Sequence, residues 1–459
     1  MKLGVVILAA GKGTRMRSTL AKVLHPLAGR ALLSHVLDAA AALGAARVAV
    51  VYGHGGAQVP AAFADRDCDW VEQRERLGTG HAVIQALPRM AAMDRVLVLY
   101  GDVPLIEPET LNRLVADSAH TQLGVLTMTL ADPSGYGRIV RDKQGHILRI
   151  VEQKDASEAE LAITEVNTGI IVAELTALAD WLGRIGNDNV QREYYLTDVI
   201  GLAVADGVEV ASCRPERLEE VAGINDRWQL AELERYHQRR LAAALMHDGT
   251  TVMDPSRLDI RGTLICERDV VLDVNVIVEG QVRLGAEVRI GPNCLLRDCE
   301  IGAGAEVLAN SVIEGARVAA GARIGPFARL RPAAEIGERC HIGNFVEIKQ
   351  ARIAADSKVN HLSYIGDAEI GSKVNVGAGT ITCNYDGACK HLTRIGDGAF
   401  IGSNSALVAP VEIGVDATIG AGSVISRQAP AAQLTLTRAP QVSHPHWQRP
   451  RKAAPADRE

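Results

Sequence analysis

The sequence predicts two folds in series: an α/β domain built on a mostly parallel, doubly wound sheet, and behind it a parallel β-helix of hexapeptide repeats. Three observations carry this. Residues 1 to about 225 alternate apolar strand-like runs with helical patterns, which is the signature of a parallel sheet with crossover helices. From Leu284 to Ile425 an aliphatic residue followed by glycine recurs, as in Leu284-Gly285, Ile290-Gly291, Ile301-Gly302, Ile324-Gly325, Ile336-Gly337, Ile342-Gly343 and Ile365-Gly366, at gaps that are a multiple of six or one short of it. A helix repeats at about 3.6 residues and a flat strand at about 2, so a six-residue beat means short strands and turns stacked into a solenoid. Aromatic residues make up only 3% of the chain while Ala, Val, Ile and Gly abound, as narrow aliphatic interiors require.

In order along the chain, strands are expected at Leu3–Ala9, Val48–Val51 and Val96–Leu99, with helices around Leu32–Leu43 and His81–Leu87. This domain spans 1–226. Residues 227–248 read as a charged amphipathic linker helix of roughly 30 Å, with Trp228, Leu233, Tyr236 and Leu241 its apolar positions. The solenoid spans 249–440, beginning weakly at Val252, Leu258, Leu264, Val270 and Val276; three hexads close one triangular coil of roughly 18 residues. The beat breaks once, at Gly377–Thr393, where a loop must leave the coil. The proline-rich, charged tail 441–459 is expected to be disordered.

Composition excludes several classes. With 49 Lys and Arg against 55 Asp and Glu, the formal charge is −6 and no basic run stands out, which disfavours nucleic acid as a partner. No apolar stretch approaches the ~20 residues of a membrane span, and the start runs straight into a strand, so a cytoplasmic protein is expected. The eight cysteines show neither CxxC pairs nor metal-ligand spacing and read as reduced.

Chemistry begins where the first strand ends. In Leu8-Ala9-Ala10-Gly11-Lys12-Gly13-Thr14-Arg15-Met16 two glycines let backbone N–H groups approach phosphate oxygens, and Lys12, Arg15 and Lys22 supply positive charge. Met16 stands where a dinucleotide fingerprint has its third glycine, which argues against an NAD site. Val96–Asp102 is a buried strand ending in Tyr100-Gly101-Asp102; an Asp there caps a turn or, beside a phosphate loop, offers a hard oxygen to Mg²⁺. Asn225 can add a second oxygen or N-cap the following helix.

The string Leu8–Met16 resembles the signature of sugar-nucleotide pyrophosphorylases. Gln73, the turn Leu77–Gly80, Tyr136-Gly137-Arg138-Ile139, Val151-Glu152-Gln153-Lys154, Glu165–Gly169 and Glu193-Tyr194-Tyr195 extend the likeness. Together these motifs resemble, over roughly residues 1 to 440, the bacterial bifunctional N-acetylglucosamine-1-phosphate uridyltransferase / glucosamine-1-phosphate acetyltransferase family. The resemblance implies an α/β nucleotidyltransferase domain, Rossmann-like with a mostly parallel sheet, followed by a left-handed parallel β-helix. Left-handedness contradicts the usual crossover preference. It implies a UTP site at Leu8, Ala9, Ala10, Gly11, Lys22, Tyr100, Gly101 and Asp102, with Gln73, Gly78 and Thr79 on the uracil. Gly137, Glu152 and Asn167 would hold the amino sugar, and Asp102 and Asn225 the Mg²⁺. Arg15 and Lys22 are the expected charge stabilisers for attack of a sugar 1-phosphate on the α-phosphorus of UTP. Ala21 stands where the family usually has proline, and Arg192 where it usually has glycine.

Within the solenoid, Arg331 and Lys349 are one coil apart and expected to stack within reach of one phosphate. His361 is the plausible general base, with Glu347 orienting its ring. The resemblance assigns the Asn360-His361-Leu362-Ser363-Tyr364 string to the acetyltransferase site. It implies Arg331, Lys349 and Tyr364 on glucosamine 1-phosphate, and Asn375, Asn384 and Tyr385 around the sugar and acetyl group. Ala378, Ser403, Ala421 and Arg438 would hold acetyl-CoA. Sites of this kind lie between subunits, so a homotrimer is expected. The product would feed peptidoglycan and lipopolysaccharide synthesis. A single-activity pyrophosphorylase with a structural β-helix, or a binding protein that has lost chemistry, predicts erosion of Arg331, Lys349, His361 and Tyr364 or of Asp102, Lys22 and Asn225; all are present.

Overall fold

The computed structural model describes residues 1–450. It divides into two compact units, Met1–Ala244 with Asp259–Gly262, and Leu245–Leu258 with the chain from Thr263 onward. Residues 441–450 contain no helix or strand; the rest of the expected disordered tail, 451–459, lies outside the described residues.

The first unit is built on a nine-stranded sheet whose main path runs Val210–Cys213, Leu123–Thr129, Glu165–Glu174, Arg95–Tyr100, Leu3–Ala9, Arg47–Tyr52, Asp69–Glu72. Side chains of a strand alternate between faces, and here both faces are buried. Val5, Ile7 and Ala9 enter one core with Leu97 and Leu99, while Val6 and Leu8 enter another with Val96 and Val98. That is why these strands read as continuous apolar runs. Leu3–Ala9 pairs in parallel with both Arg47–Tyr52 and Arg95–Tyr100, so their carboxyl ends share one edge. Glu165–Glu174 is antiparallel to its neighbours, and its register with Leu123–Thr129 slips between Asn167 and Ile171, around Gly169 at φ 86°. This bulge re-aims Asn167.

The helix expected at 227–248 spans Arg227–His247. Rather than standing as a bare spacer, it packs on the first unit. Leu233 joins a cluster with Met16, Leu27, Leu32, Leu105 and Ile224. The Gln238 amide donates to Ile260 O at 2.8 Å and accepts from Ile260 N at 2.7 Å, and Glu234 accepts from Ala28 N at 2.7 Å. The same face sets His237 edge-on against His35, ring centroids 5.8 Å apart. Burial, helped by His35, Arg240 and Arg30, lowers the His237 pKa to about 4, and its Nδ1 is buried without a partner. A folded-state value below the ordinary one means that the ring's contribution to stability is present above pH 6.5 and drains as pH falls towards 4. His237→Phe is therefore expected to flatten the fall in the urea midpoint of the first unit between those pH values; an unchanged slope would exclude His237 as its source.

The second unit is a left-handed parallel β-helix made of an 11-stranded and a 14-stranded sheet. Its aliphatic repeat points inward: Leu284, Ile290, Ile301, Ile324, Ile336, Ile342 and Ile365 are all buried. Long strands turn a corner between faces, as when Leu295–Ile301 pairs first with Val312–Glu314 and then with Arg317–Val318. Register climbs one coil per step from Arg289 to Glu306, Arg323, His341, Lys358 and Asn375, then jumps to Phe400. The jump is the insertion seen in the sequence. It forms a small hairpin in which His391 N donates to Asn384 O at 2.8 Å, Tyr385 pairs with Lys390, and Asp386 N donates to Cys389 O at 3.2 Å.

One corner repeats with positive φ at Asn275, Asn293, Asn310, Phe327, Phe345, Leu362, Gly379, Asn404 and Gly422. Asn and Gly suit that region; Phe and Leu do not. Phe327, Phe345 and Leu362 are nevertheless 49%, 55% and 64% exposed, and the two phenyl rings stack at 5.3 Å. Three large apolar residues held outward at a strained corner form a ridge that water does not explain.

Candidate functional site

In the first unit the common edge of Leu3–Ala9 and Arg95–Tyr100 opens into a cavity of about 390 Å³. Leu8, Ala9, Ala10, Gly11, Lys22, Gln73, Gly78, Thr79, Tyr100 and Asp102 line it, as expected of a ligand crevice at strand carboxyl ends. Gly11 has open space where a Cβ would stand, leaving its backbone approachable. Gly13 sits at φ 57° with a Cβ position 2.8 Å from Lys22 Cβ, so the turn and the lysine are packed together. Gly78, at φ 114°, has a Cβ position 2.5 Å from Tyr194 O, which admits no side chain. Gln73 is buried and its amide nitrogen donates to Gly78 O at 3.1 Å, while Thr79 Oγ1 accepts from Leu196 N at 3.0 Å. Gly101 is hemmed by Val23, Ala9 and Leu33.

Lys22 Nζ lies between two oxygens: it is ion-paired to Asp102 Oδ2 and 3.4 Å from Asn225 Oδ1. A cation thus already bridges the two groups named as metal ligands. Two hard oxygens, with phosphates and water to complete the shell, suit a divalent ion that keeps much of its hydration. The N-cap alternative for Asn225 is resolved by Asp226, whose Oδ1 accepts from Gln229 N at 2.9 Å. Arg15 is exposed and does not line the cavity; Lys12 and Arg76 do. Arg76 had no local signal in the sequence beyond its nearness to Gln73 and Gly78.

Gly137, Glu152 and Asn167 come together, and of the three Glu152 alone lines a second cavity of about 480 Å³. The Cβ position of Gly137 lies 3.4 Å from Glu152 Oε2, and Asn167 N donates to Gly137 O at 2.9 Å. Glu152 accepts from Thr197 Oγ1 at 2.9 Å; burial raises its pKa, offset by that bond. Asp198, on the same wall, is pushed up to about 6 by burial and by Glu152 and Asp155. Thr197 and Asp198 are not among the expected site residues, although only Leu196 separates them from the Glu193-Tyr194-Tyr195 motif. Gly169 leaves room for Tyr100, whose ring carbon lies 2.5 Å from the missing Cβ.

The two departures also find their places. Ala21 keeps φ −58°, which is proline's own, so the loop before Lys22 holds its conformation without the ring. Arg192 sits exposed at φ 55°, a left-handed position where glycine costs nothing, and it lines neither cavity. Arg192→Gly is expected to stabilise the first unit by about 0.5–1 kcal/mol, read as a higher urea midpoint with uridylyl transfer unchanged; a lower midpoint would show that the guanidinium has a partner worth more than the strain.

In the solenoid the expected residues separate into two sets on different sheets. Arg331 and Lys349 stack in adjacent coils, in register through Leu330 and Ile348. Around them Arg331 pairs with Glu347 at 2.8 Å, Lys349 stands 4.0 Å from Asp367, and the Asn384 amide donates to Asp367. The Cβ position of Gly366, directly over Lys349, is 2.4 Å from Tyr364 Oη, so the phenol lies across that glycine. Lys390 has its pKa lowered by the nearby Lys349. Four cationic or donor side chains, Arg331, Lys349, Tyr364 and Lys390, therefore gather there, as a phosphate requires.

On the other sheet, His361 Nδ1 is 2.9 Å from Asn344 Oδ1. The expectation that Glu347 orients this ring is corrected: Glu347 pairs with Arg331 on the other sheet, because Phe345, in the left-handed conformation, turns the chain between Asn344 and Glu347. His361, Ala378, Ser403 and Ala421 each immediately precede a positive-φ corner residue in successive coils, so they form one vertical file. Arg438 reaches the end of that file, its Nη2 3.1 Å from the Cβ position of Gly420. Asn375 pairs in register with Lys358 on the same sheet as His361. Tyr385 is exposed on the hairpin.

Among known families, the MobA-like NTP transferase domain matches residues 5–159, and the bacterial transferase hexapeptide (six repeats) matches 315–350 and 392–427. Over 448 residues the chain is 57% identical to the Bifunctional protein GlmU of Aromatoleum aromaticum, covering 98% of each chain. The same-named protein of Azoarcus sp. is 56% identical over 448 residues, covering 98% of this chain and 99% of that one. That of Thiobacillus denitrificans is 57% identical over 451 residues, covering 98% of each.

Proposed function

We infer, since the chain belongs to the family of bifunctional GlmU proteins, how its two activities are divided between the sites described above. The enzyme N-acetylates glucosamine 1-phosphate with acetyl-CoA and transfers a uridylyl group from UTP to the product, releasing pyrophosphate and forming UDP-N-acetylglucosamine.

Uridylyl transfer belongs to the first unit. The Gly11 turn and Lys12, Lys22 and Arg76 receive the triphosphate, while Gln73, Gly78 and Thr79 hold the uracil. Gly137, Glu152 and Asn167, with Thr197 behind Glu152, hold the amino sugar so that its phosphate oxygen stands in line with the α-phosphorus. Asp102 and Asn225 would hold Mg²⁺, which neutralises charge on the phosphates; Lys22, released from between them, shares that work.

Acetyl transfer belongs to the solenoid, and the file from His361 through Ala378 and Ser403 to Ala421 and Arg438 carries this reading. An extended acetyl-CoA laid along it sets its thioester by His361 and its phosphates by Arg438. Arg331, Lys349 and Tyr364 take the sugar phosphate, with Asn375, Asn384 and Tyr385 around the sugar and acetyl group. His361 Nε2 takes the proton from the 2-amino group as nitrogen bonds to the carbonyl carbon. The C–S bond then breaks, and the thiolate leaves to be protonated. The phosphate cluster and the base lie on different sheets across the Phe327–Phe345–Leu362 ridge, so one chain does not complete the site. Face-to-face contact of unlike sheets in a closed ring of three completes it and covers the ridge. The co-substrates suit a cytoplasmic enzyme.

Release of free thiol from acetyl-CoA, measured with and without glucosamine 1-phosphate and corrected for the protein's own cysteines, tests the assignment. Sugar-dependent release supports it; no release from folded protein leaves a uridyltransferase carrying a structural solenoid.

A further inference from the structure

We propose that Asn344, one coil below His361, is the positioning residue that fixes the tautomer of the base. This rests on the reading of His361 as the base in acetyl transfer. Asn344 and His361 occupy equivalent places in adjacent coils: they pair in register, and each immediately precedes a left-handed corner residue, Phe345 and Leu362. Those corners, tied by Phe345 N to Phe327 O and Leu362 N to Asn344 O, both at 3.1 Å, leave the two side chains little freedom to drift apart. The contact is between Asn344 Oδ1 and His361 Nδ1, at 2.9 Å.

An amide oxygen only accepts, so the hydrogen on the ring sits on Nδ1 and the lone pair on Nε2. That is the tautomer a base needs, because an imidazole with its hydrogen on Nε2 would present a donor to an amine that must lose a proton. A neutral partner has a second consequence. A carboxylate in that place would favour the charged ring; an amide orients it without adding a charge beside it. The neighbouring titratable groups on this sheet are themselves basic: His341 on the strand below interacts electrostatically with His361, Lys358 lies on its own strand, and the strand above, Asn375–Val376, carries none. Glu347, the alternative partner, is occupied by Arg331 at 2.8 Å on the other sheet.

The test compares Asn344→Ala, Asn344→Asp and Glu347→Gln in the full-length oligomer, using sugar-dependent thiol release across pH, with uridylyl transfer as the control for folding. Asn344→Ala is expected to lower kcat for acetyl transfer about 10- to 100-fold with KM for glucosamine 1-phosphate within about threefold. Asn344→Asp, which still accepts from Nδ1–H, is expected to recover most of kcat and to move the acidic limb of the kcat profile to higher pH. Glu347→Gln is expected to raise KM and leave that limb in place. The proposal is overturned if Asn344→Ala stays within about twofold of wild type, or if Glu347→Gln rather than Asn344→Asp moves the limb, since the neighbouring subunit's glutamate then orients the ring. Should Asn344→Ala fail to fold, the direction of the limb in Asn344→Asp decides alone. If His361→Ala keeps full activity, it is the underlying reading that has failed.

Discussion

His361→Ala is expected to reduce acetyl transfer by about 100- to 10,000-fold while leaving uridylyl transfer and oligomeric state as in wild type. The magnitude follows from what the ring does. An amine attacking a thioester must shed a proton as the bond forms, and receiving it is the role proposed for His361. Little else about the file changes: His361 is exposed, its ring meets Asn344, and its own coil is held by buried Val359 and Ile365. Removing the ring therefore costs chemistry and little stability. The expected signature is a collapse of kcat with KM for both substrates nearly preserved, since Arg331, Lys349 and Tyr364 stand on the other sheet. A matched fall in both activities would point to lost assembly, and retention of acetyl transfer would remove His361 from the mechanism.

Asp102→Asn is expected to produce the reciprocal loss, uridylyl transfer falling by roughly 100-fold or more with acetyl transfer intact. Asp102 carries two burdens. It is the carboxylate of the pair of oxygens that suits a divalent ion, and it is the ion-pair partner that holds Lys22 in the cavity. With an amide in its place, Lys22 keeps only Asn225 at 3.4 Å, and the oxygen pair loses its charge. Binding of Mn²⁺, followed by its paramagnetic signal rather than by turnover, is expected to weaken in parallel with activity. Full metal binding with lost turnover would assign Asp102 to Lys22 rather than to the ion. Because the two units have separate cores, neither substitution is expected to cross over to the other activity.

The residues that sequence reading located well are those whose role is local. The glycine turn after Leu3–Ala9, the strand ending at Asp102 and the one-coil spacing of Arg331 and Lys349 all follow from patterns a few residues long, and the structure brings each set together. Pairings between side chains distant in sequence were harder to read. Arg76 joins the cavity lined by Lys12 and Lys22 through the turn at Gly78, whereas Arg15, within the most recognisable string of the chain, stays outside it. Thr197 supports Glu152 across a fold the local pattern does not describe.

What the sequence by itself determined is therefore the class of each unit and the rung on which each solenoid residue sits, because period and alternation are imposed by backbone geometry repeated without interruption. What only the tertiary structure decided is which side of a corner each rung presents. A period of six counts coils but is blind to where the chain turns, and one left-handed residue, Phe345 or Leu362, sends the next side chains to another sheet. Glu347 and His361, less than a coil apart and both polar, look like partners in the sequence. The turn separates them and leaves Asn344 against the imidazole.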